Sequence, residues 1–137
     1  MINSVVVDAS VALAWVLPGA DSEEALVLRN QAAESPQPLL LVPPIFWFEV
    51  TNVLWVAIRR EKLIRQNAIK ALTLLRDFEF TVWPVEPASC LNLSVAHDLA
   101  VYGSAYLDIA IEQQVGLWTI DQALKRAAED LGIVVLP

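Results

Sequence analysis

The period of the hydrophobic pattern changes repeatedly along this chain, and each change marks an element. The stretch "SVVVD" (4–8) is apolar until its last residue, as expected for a strand buried on both faces. "ASVALAWVL" (9–17) follows, rich in helix formers, with Asp8 where an N-cap belongs and Pro18 and Gly19 as a stop. "DSEEALVLRNQAAE" (21–34) starts a second helix at Asp21, with acids in its first turn. "LLLV" (39–42) reads as a second strand, ended by Pro43 and Pro44. In "IFWFEVTNVLWVAIRR" (45–60), Phe46, Val50, Val53 and Ala57 recur at helical spacing, and arginines close the last turn. "IRQNAIKALTLLRDF" is another amphipathic helix, and "FEFTVWPV" alternates like a strand before Pro84. "PASCLNLSVAHDLA" carries Pro87 at a helix start. "SAYLDIAIEQQV" is a helix ended by Gly116, and "GLWTID" is a strand ending on Asp121. "QALKRAAEDLG" is a helix with Gly132 at its C-terminal end, and "IVVLP" is a last strand. Strands alternating with helices predict a parallel sheet covered by helices in one domain spanning 1–137.

Composition narrows the class. With 137 residues, 56% of them hydrophobic, there is ample material for one core. No apolar run reaches the roughly 18 residues of a membrane span, so no membrane association is expected. The start "MINS" has no basic region or cleavage pattern, and Cys90 is the one cysteine. Both point to the reducing cytoplasm of a bacterium or archaeon. A net charge of −7 argues against a general nucleic-acid binder. Yet six of the nine basic residues lie between 59 and 76: Arg59, Arg60, Lys62, Arg65, Lys70 and Arg76. They form either a solvated helix face or a strip for a polyanion.

Acids carry the candidate chemistry. Asp8 and Asp121 each end an apolar strand, and in open α/β sheets ligands bind beyond the carboxyl ends of strands. Two such carboxylates repel and raise each other's pKa, a conflict that Mg²⁺ or Mn²⁺ resolves. Each is also placed to cap the following helix. Glu49 stands in a strongly apolar helix, either partnered or facing solvent beside Asn52. Asp108 in "YLDIAIE" is similar, although Glu112 four residues on allows a polar outer stripe. His97 has no serine or cysteine motif around it, Cys90 reads as core, and no G-x-S-x-G, GxGxxG or P-loop is present. Carboxylate-held Mg²⁺ acting on a phosphodiester is the chemistry that remains.

The stretches "VVVDASVALAWVLPGADSEEA", "PPIFWFEVTNVL" and "LWTIDQALKRAAEDLGI" resemble, in order and spacing, the PIN domain, and specifically the ribonuclease toxins of VapBC-type toxin–antitoxin modules. The resemblance covers nearly the whole chain. It implies a three-layer α/β/α fold with a central parallel sheet and a Mg²⁺- or Mn²⁺-dependent endoribonuclease, often acting on structured RNA. It also implies a cognate antitoxin, frequent homodimers, and Asp8, Glu49 and Asp121 as metal ligands. The apolar helix carrying Trp47 and Trp55 would then offer a groove for the antitoxin or a second copy, unless those tryptophans are core. One position departs. The family's "YDA-x-YL" is "YGSAYL" here, so Gly103 replaces an aspartate while Tyr102, Ala105, Tyr106 and Leu107 fit. Asp108 enters as a weaker fourth ligand, lying about 140° round the helix from position 103. Water or Ser104 would otherwise fill the gap. The alternative expectation is a PIN-fold binding or regulatory protein with weakened or lost hydrolysis.

Overall fold

The computed structural model describes residues 3–17 and 23–137. Among them, five strands and seven helices follow in the order β1 (Ser4–Val7), α1 (Ala9–Val16), α2 (Glu23–Ala33), β2 (Leu39–Val42), α3 (Phe46–Arg59), α4 (Arg65–Arg76), β3 (Thr81–Val82), α5 (Pro87–His97), α6 (Val101–Gln113), β4 (Gly116–Trp118), α7 (Gln122–Asp130) and β5 (Val135–Leu136). The strands form one parallel sheet ordered β3-β2-β1-β4-β5. Val5 pairs with Leu40 on one side and Gly116 on the other, which makes β1 the central strand. Its three valines are buried, the continuous apolar run expected of a strand covered on both faces.

The order explains the layers. The chain winds one way from β1 to β3, then crosses back to β4 and continues the other way. Crossovers of one handedness therefore put α1 to α4 on one face and α5 to α7 on the other. The contacts agree: α1 packs on α2, α3 and α4, whereas α6 packs on α5, α7 and the central strands. The reversal falls between β1 and β4, where a sheet of this kind leaves its ligand crevice.

An aromatic cluster fills the α1 to α4 side. Trp15 lies 4.9 Å from Phe78, and Phe46 lies 4.7 Å from Phe80, between ring centroids. Trp47 joins this cluster, edge-on to Phe46, with Arg76 over its ring; for Trp47 the core reading holds. Trp55 instead is 51% exposed.

Several boundaries differ from the pattern-based expectation. The buried stripe of α3 is Phe46, Val50 and Leu54, while Val53 is exposed, because the true repeat here is four residues. α6 begins at Val101, before "SAYL", and ends on Gln114, which takes the left-handed conformation (φ 54°) expected of a glycine. Gly116 is the first residue of β4. A Cβ there would sit 3.1 Å from the Val134 carbonyl oxygen, so strand β5 requires the glycine for close approach. β4 stops at Trp118, three residues before Asp121. Most of "FEFTVWPV" stays outside the ladder, leaving β3 as a two-residue edge. Gly132 has the positive φ (75°) expected after a helix. The expected stop at Pro18 and Gly19 and the helix start at Asp21 lie outside the described residues.

Candidate active site

Asp8 follows the last residue of β1 and occupies the N-cap position of α1, but its side chain makes no capping hydrogen bond. Its Oδ2 instead accepts the Ser10 hydroxyl at 2.5 Å and the Thr119 hydroxyl at 2.9 Å. Thr119 is fully buried at the end of β4, so these contacts tie the two central strand ends together. Ser10 Oγ also accepts the Ile120 amide, and Thr119 Oγ1 accepts the Asp121 amide. Burial pushes the Asp8 carboxyl above its ordinary value. The Ser10 and Thr119 hydroxyls oppose this, the Asp121 charge adds to it, and the Ser10 backbone amide opposes it more weakly.

Asp121 caps α7, its Oδ1 accepting the Leu124 amide at 3.0 Å, and its side chain is exposed. Glu49 lies in the first turn of α3, half-buried, and its Oε1 accepts the Tyr106 hydroxyl at 2.8 Å. Burial raises the Glu49 carboxyl, the Tyr106 bond opposes this, and the Asp8 charge raises it further. Tyr106 is itself fully buried, and burial with the charges of Asp8 and Glu49 pushes its phenol far up. The phenol is the donor in its bond to Glu49. Asp8 thus feels the charge of Asp121, far away in the sequence, and Glu49 feels that of Asp8.

Asp108 is not brought to them. It is two residues from Tyr106, about 200° round the helix. Its Oδ2 accepts the Glu86 amide at 3.2 Å, and it faces α5, where its charge acts on Cys90. Ser104 likewise faces α5, bonded to Ser94 at 2.7 Å. His97 ends α5 and Cys90 is buried without reaching the acids.

The fold has clear relatives among solved structures. A protein of Pyrobaculum aerophilum, PAE2754, superposes with a TM-score of 0.75 at 20% identity over 97% of this chain and 83% of that one. The chain has the PIN-like fold. VapC20 of Mycobacterium tuberculosis, a toxin that cleaves the sarcin–ricin loop, gives 0.63 at 16% identity, over 90% of this chain and 95% of that one. FitAcB of Neisseria gonorrhoeae gives 0.67 at 14%, over 97% and 96%. By sequence, no family model and no curated protein matches the chain.

In this PIN-like frame Gly103 lies one turn before Tyr106 on the same side of α6. A Cβ built at Gly103 meets one atom within 4 Å, Leu124 Cδ1 at 3.9 Å, so an aspartate side chain could be accommodated beside the start of α7. The acids fit a hard divalent cation in kind, all being oxygen donors. In number they fall short: among the described residues no three acidic, histidine or cysteine side chains gather into a metal-holding group. Mg²⁺ is commonly held by one or two carboxylates with waters, which Asp8 and Asp121 could supply.

The sequence reading missed the roles of Ser10, Thr119 and Tyr106. A signal was available for the first two: a hydroxyl stands two residues after Asp8 in "DAS" and two before Asp121 in "TID".

Proposed function

We propose that this protein is a Mg²⁺- or Mn²⁺-dependent endoribonuclease acting as the toxin of a cytoplasmic toxin–antitoxin module, with Asp8, Glu49 and Asp121 as the metal-holding acids. The observation that carries the reading is Asp8: buried at the central strand end and aimed by two hydroxyls from opposite ends of the chain. A bound divalent ion would supply Lewis-acid charge for phosphodiester hydrolysis. The protein's own part is positioning. Ser10 and Thr119 fix the Asp8 carboxylate, Tyr106 fixes Glu49, and the cap bond to Leu124 fixes Asp121. Asp108, directed at α5, is left out of this set.

A cognate antitoxin and a homodimer complete the proposal. Leu91 and Val95, 58% and 79% exposed on α5, give an apolar face for a protein partner. The solved toxin–antitoxin complex from Klebsiella pneumoniae, 19% identical with a TM-score of 0.54 over 86% of this chain and 87% of that one, supports the antitoxin. Among the described residues no helix is long and apolar enough to cross a membrane.

The test is cleavage of RNA with Mg²⁺ or Mn²⁺ against an EDTA control, in wild type and Asp8→Ala. Cleavage that survives both EDTA and the substitution sinks the reading. Gly103 favours a second reading, a PIN-fold binding protein with weakened hydrolysis. Gly103→Asp separates the two: a large gain in cleavage means that the natural site is impaired, and no change means that it works without this acid.

A further inference from the structure

A helix on a protein surface ordinarily turns its apolar side inward. In α5 this arrangement is largely reversed. Leu91 and Val95 face outward, 58% and 79% exposed, whereas Cys90 is its one buried side chain. Leu93 packs partly on the core, and Ser94 reaches inward to the Ser104 hydroxyl at 2.7 Å. α5 rests chiefly on α6, and Cys90 is not part of the core cluster. The opposing side of α6 is polar as well. Ser104 and Asp108, four residues apart, are both buried there, and Asp108 accepts the Glu86 amide at the start of α5 at 3.2 Å. Beside this first turn a cleft of about 340 Å³ opens between Pro87, Cys90, Val101 and the two prolines Pro43 and Pro44, so apolar packing is thin there too.

Such an interface opens at little cost. A hydroxyl or amide released from it exchanges a protein partner for water, which shifts the equilibrium by a factor of only about 2 to 12 per bond. The Asp108 carboxylate regains its hydration on the way. The core does not depend on the contact either, because α6 itself packs on β1, β2 and β4. Segments with few buried apolar contacts open as units well before the whole domain unfolds. We infer that α5 is a strap that lifts off α6 as a unit while the sheet and α6 stay folded. Lifting bares Cys90 and the Ser104–Asp108 side of α6. The Tyr106–Glu49 bond lies on the other side of α6 and is not broken by it. The inference is therefore independent of the ribonuclease reading.

Cys90, the one thiol of the chain, reports the motion. The experiment is its alkylation by iodoacetamide over a range of urea concentrations, read by mass, with global unfolding measured in parallel. Wild type should be alkylated roughly tenfold or more faster than global unfolding allows, and with a shallower dependence on urea, because lifting exposes little surface. Deuterium exchange should show the amides of 87–97 opening together, ahead of those of β1 and α6. Ser94→Ala leaves the buried Ser104 hydroxyl without its partner and should speed alkylation by about 5- to 150-fold. Ser94→Ala combined with Ser104→Ala removes both hydroxyls and should bring the rate back towards wild type. Alkylation that follows global unfolding, with its full urea slope, overturns the inference. Exchange in α5 that is no earlier than in α6 does the same. A rate that Ser94→Ala leaves unchanged means that the reagent enters by the cleft with α5 in place, and this too overturns it.

Discussion

The chain passes from strand to acid to helix at both central strands, and the two junctions are put to different use. At the end of β4, Asp121 does what an N-cap carboxylate ordinarily does: it accepts the Leu124 amide and faces water. At the end of β1, Asp8 holds the same position at the start of α1 but makes no cap bond, and it is buried under two hydroxyls. A cap stabilises its helix. A carboxylate placed where burial opposes its charge costs stability and is retained where a site needs it. The contrast marks Asp8 as a residue placed for more than the start of its helix.

The largest expected effect is on cleavage. Asp8→Ala should lower it by more than the 10- to 100-fold that an orienting partner is worth, roughly the loss expected for Thr119→Val. Cleavage assays of the two variants on one RNA check the ranking; equal losses would make Asp8 no more than one hydrogen-bonding partner among several.

The next effect concerns stability and has opposite signs at the two junctions. Asp121→Ala removes a cap and should cost about 0.5–2 kcal/mol, read by denaturant unfolding. Asp8→Asn should stabilise the protein at pH 7 in EDTA. The Asp8 carboxyl is raised in the folded state, so between its ordinary value of 3.8 and that raised value the folded protein binds more protons than the unfolded chain. Stability therefore falls as pH rises through that window, and the loss is complete above it. Asparagine keeps an oxygen for Ser10 and Thr119 without the charge. Melting temperatures at pH 4 and pH 7 should show the variant's advantage growing with pH; an advantage independent of pH would point to packing instead.

The junctions also show how far the sequence could be read. The alternation of strands and helices, the parallel sheet and the outline of every strand but β3 follow from apolar runs and turn residues. The ends of elements do not: Gln114 supplies a left-handed cap without glycine, and Gly116, a helix stop by its pattern, serves a close strand approach. Asp8, Glu49 and Asp121 were legible as acids in apolar settings. The cap at Asp121 is local, but the pairing of Asp8 with Thr119 and of Glu49 with Tyr106 depends on residues far away in the chain, which no local pattern encodes. Asp108 has the same apolar setting as Glu49, yet a position two residues from Tyr106 turns it towards α5.

The smallest expected effect follows from that orientation. Asp108→Asn retains an acceptor for the Glu86 amide and should leave cleavage unchanged, whereas Glu49→Gln, at the other side of α6, should reduce it. A parallel loss at both positions would put Asp108 back among the working acids.

The hydroxyl of Thr119 reaches Asp8 across 111 residues of sequence. Until the stretch carrying β4 has left the ribosome, β1 lacks its neighbour on one side, and Asp8 lacks the contact that aims it. A nascent chain can carry Asp8 and Glu49 on a half-built sheet, but until Tyr106 and Thr119 arrive neither is held and no site is assembled. For a protein proposed to cut RNA, the strand order acts as a delay: no site exists until β4 has joined β1.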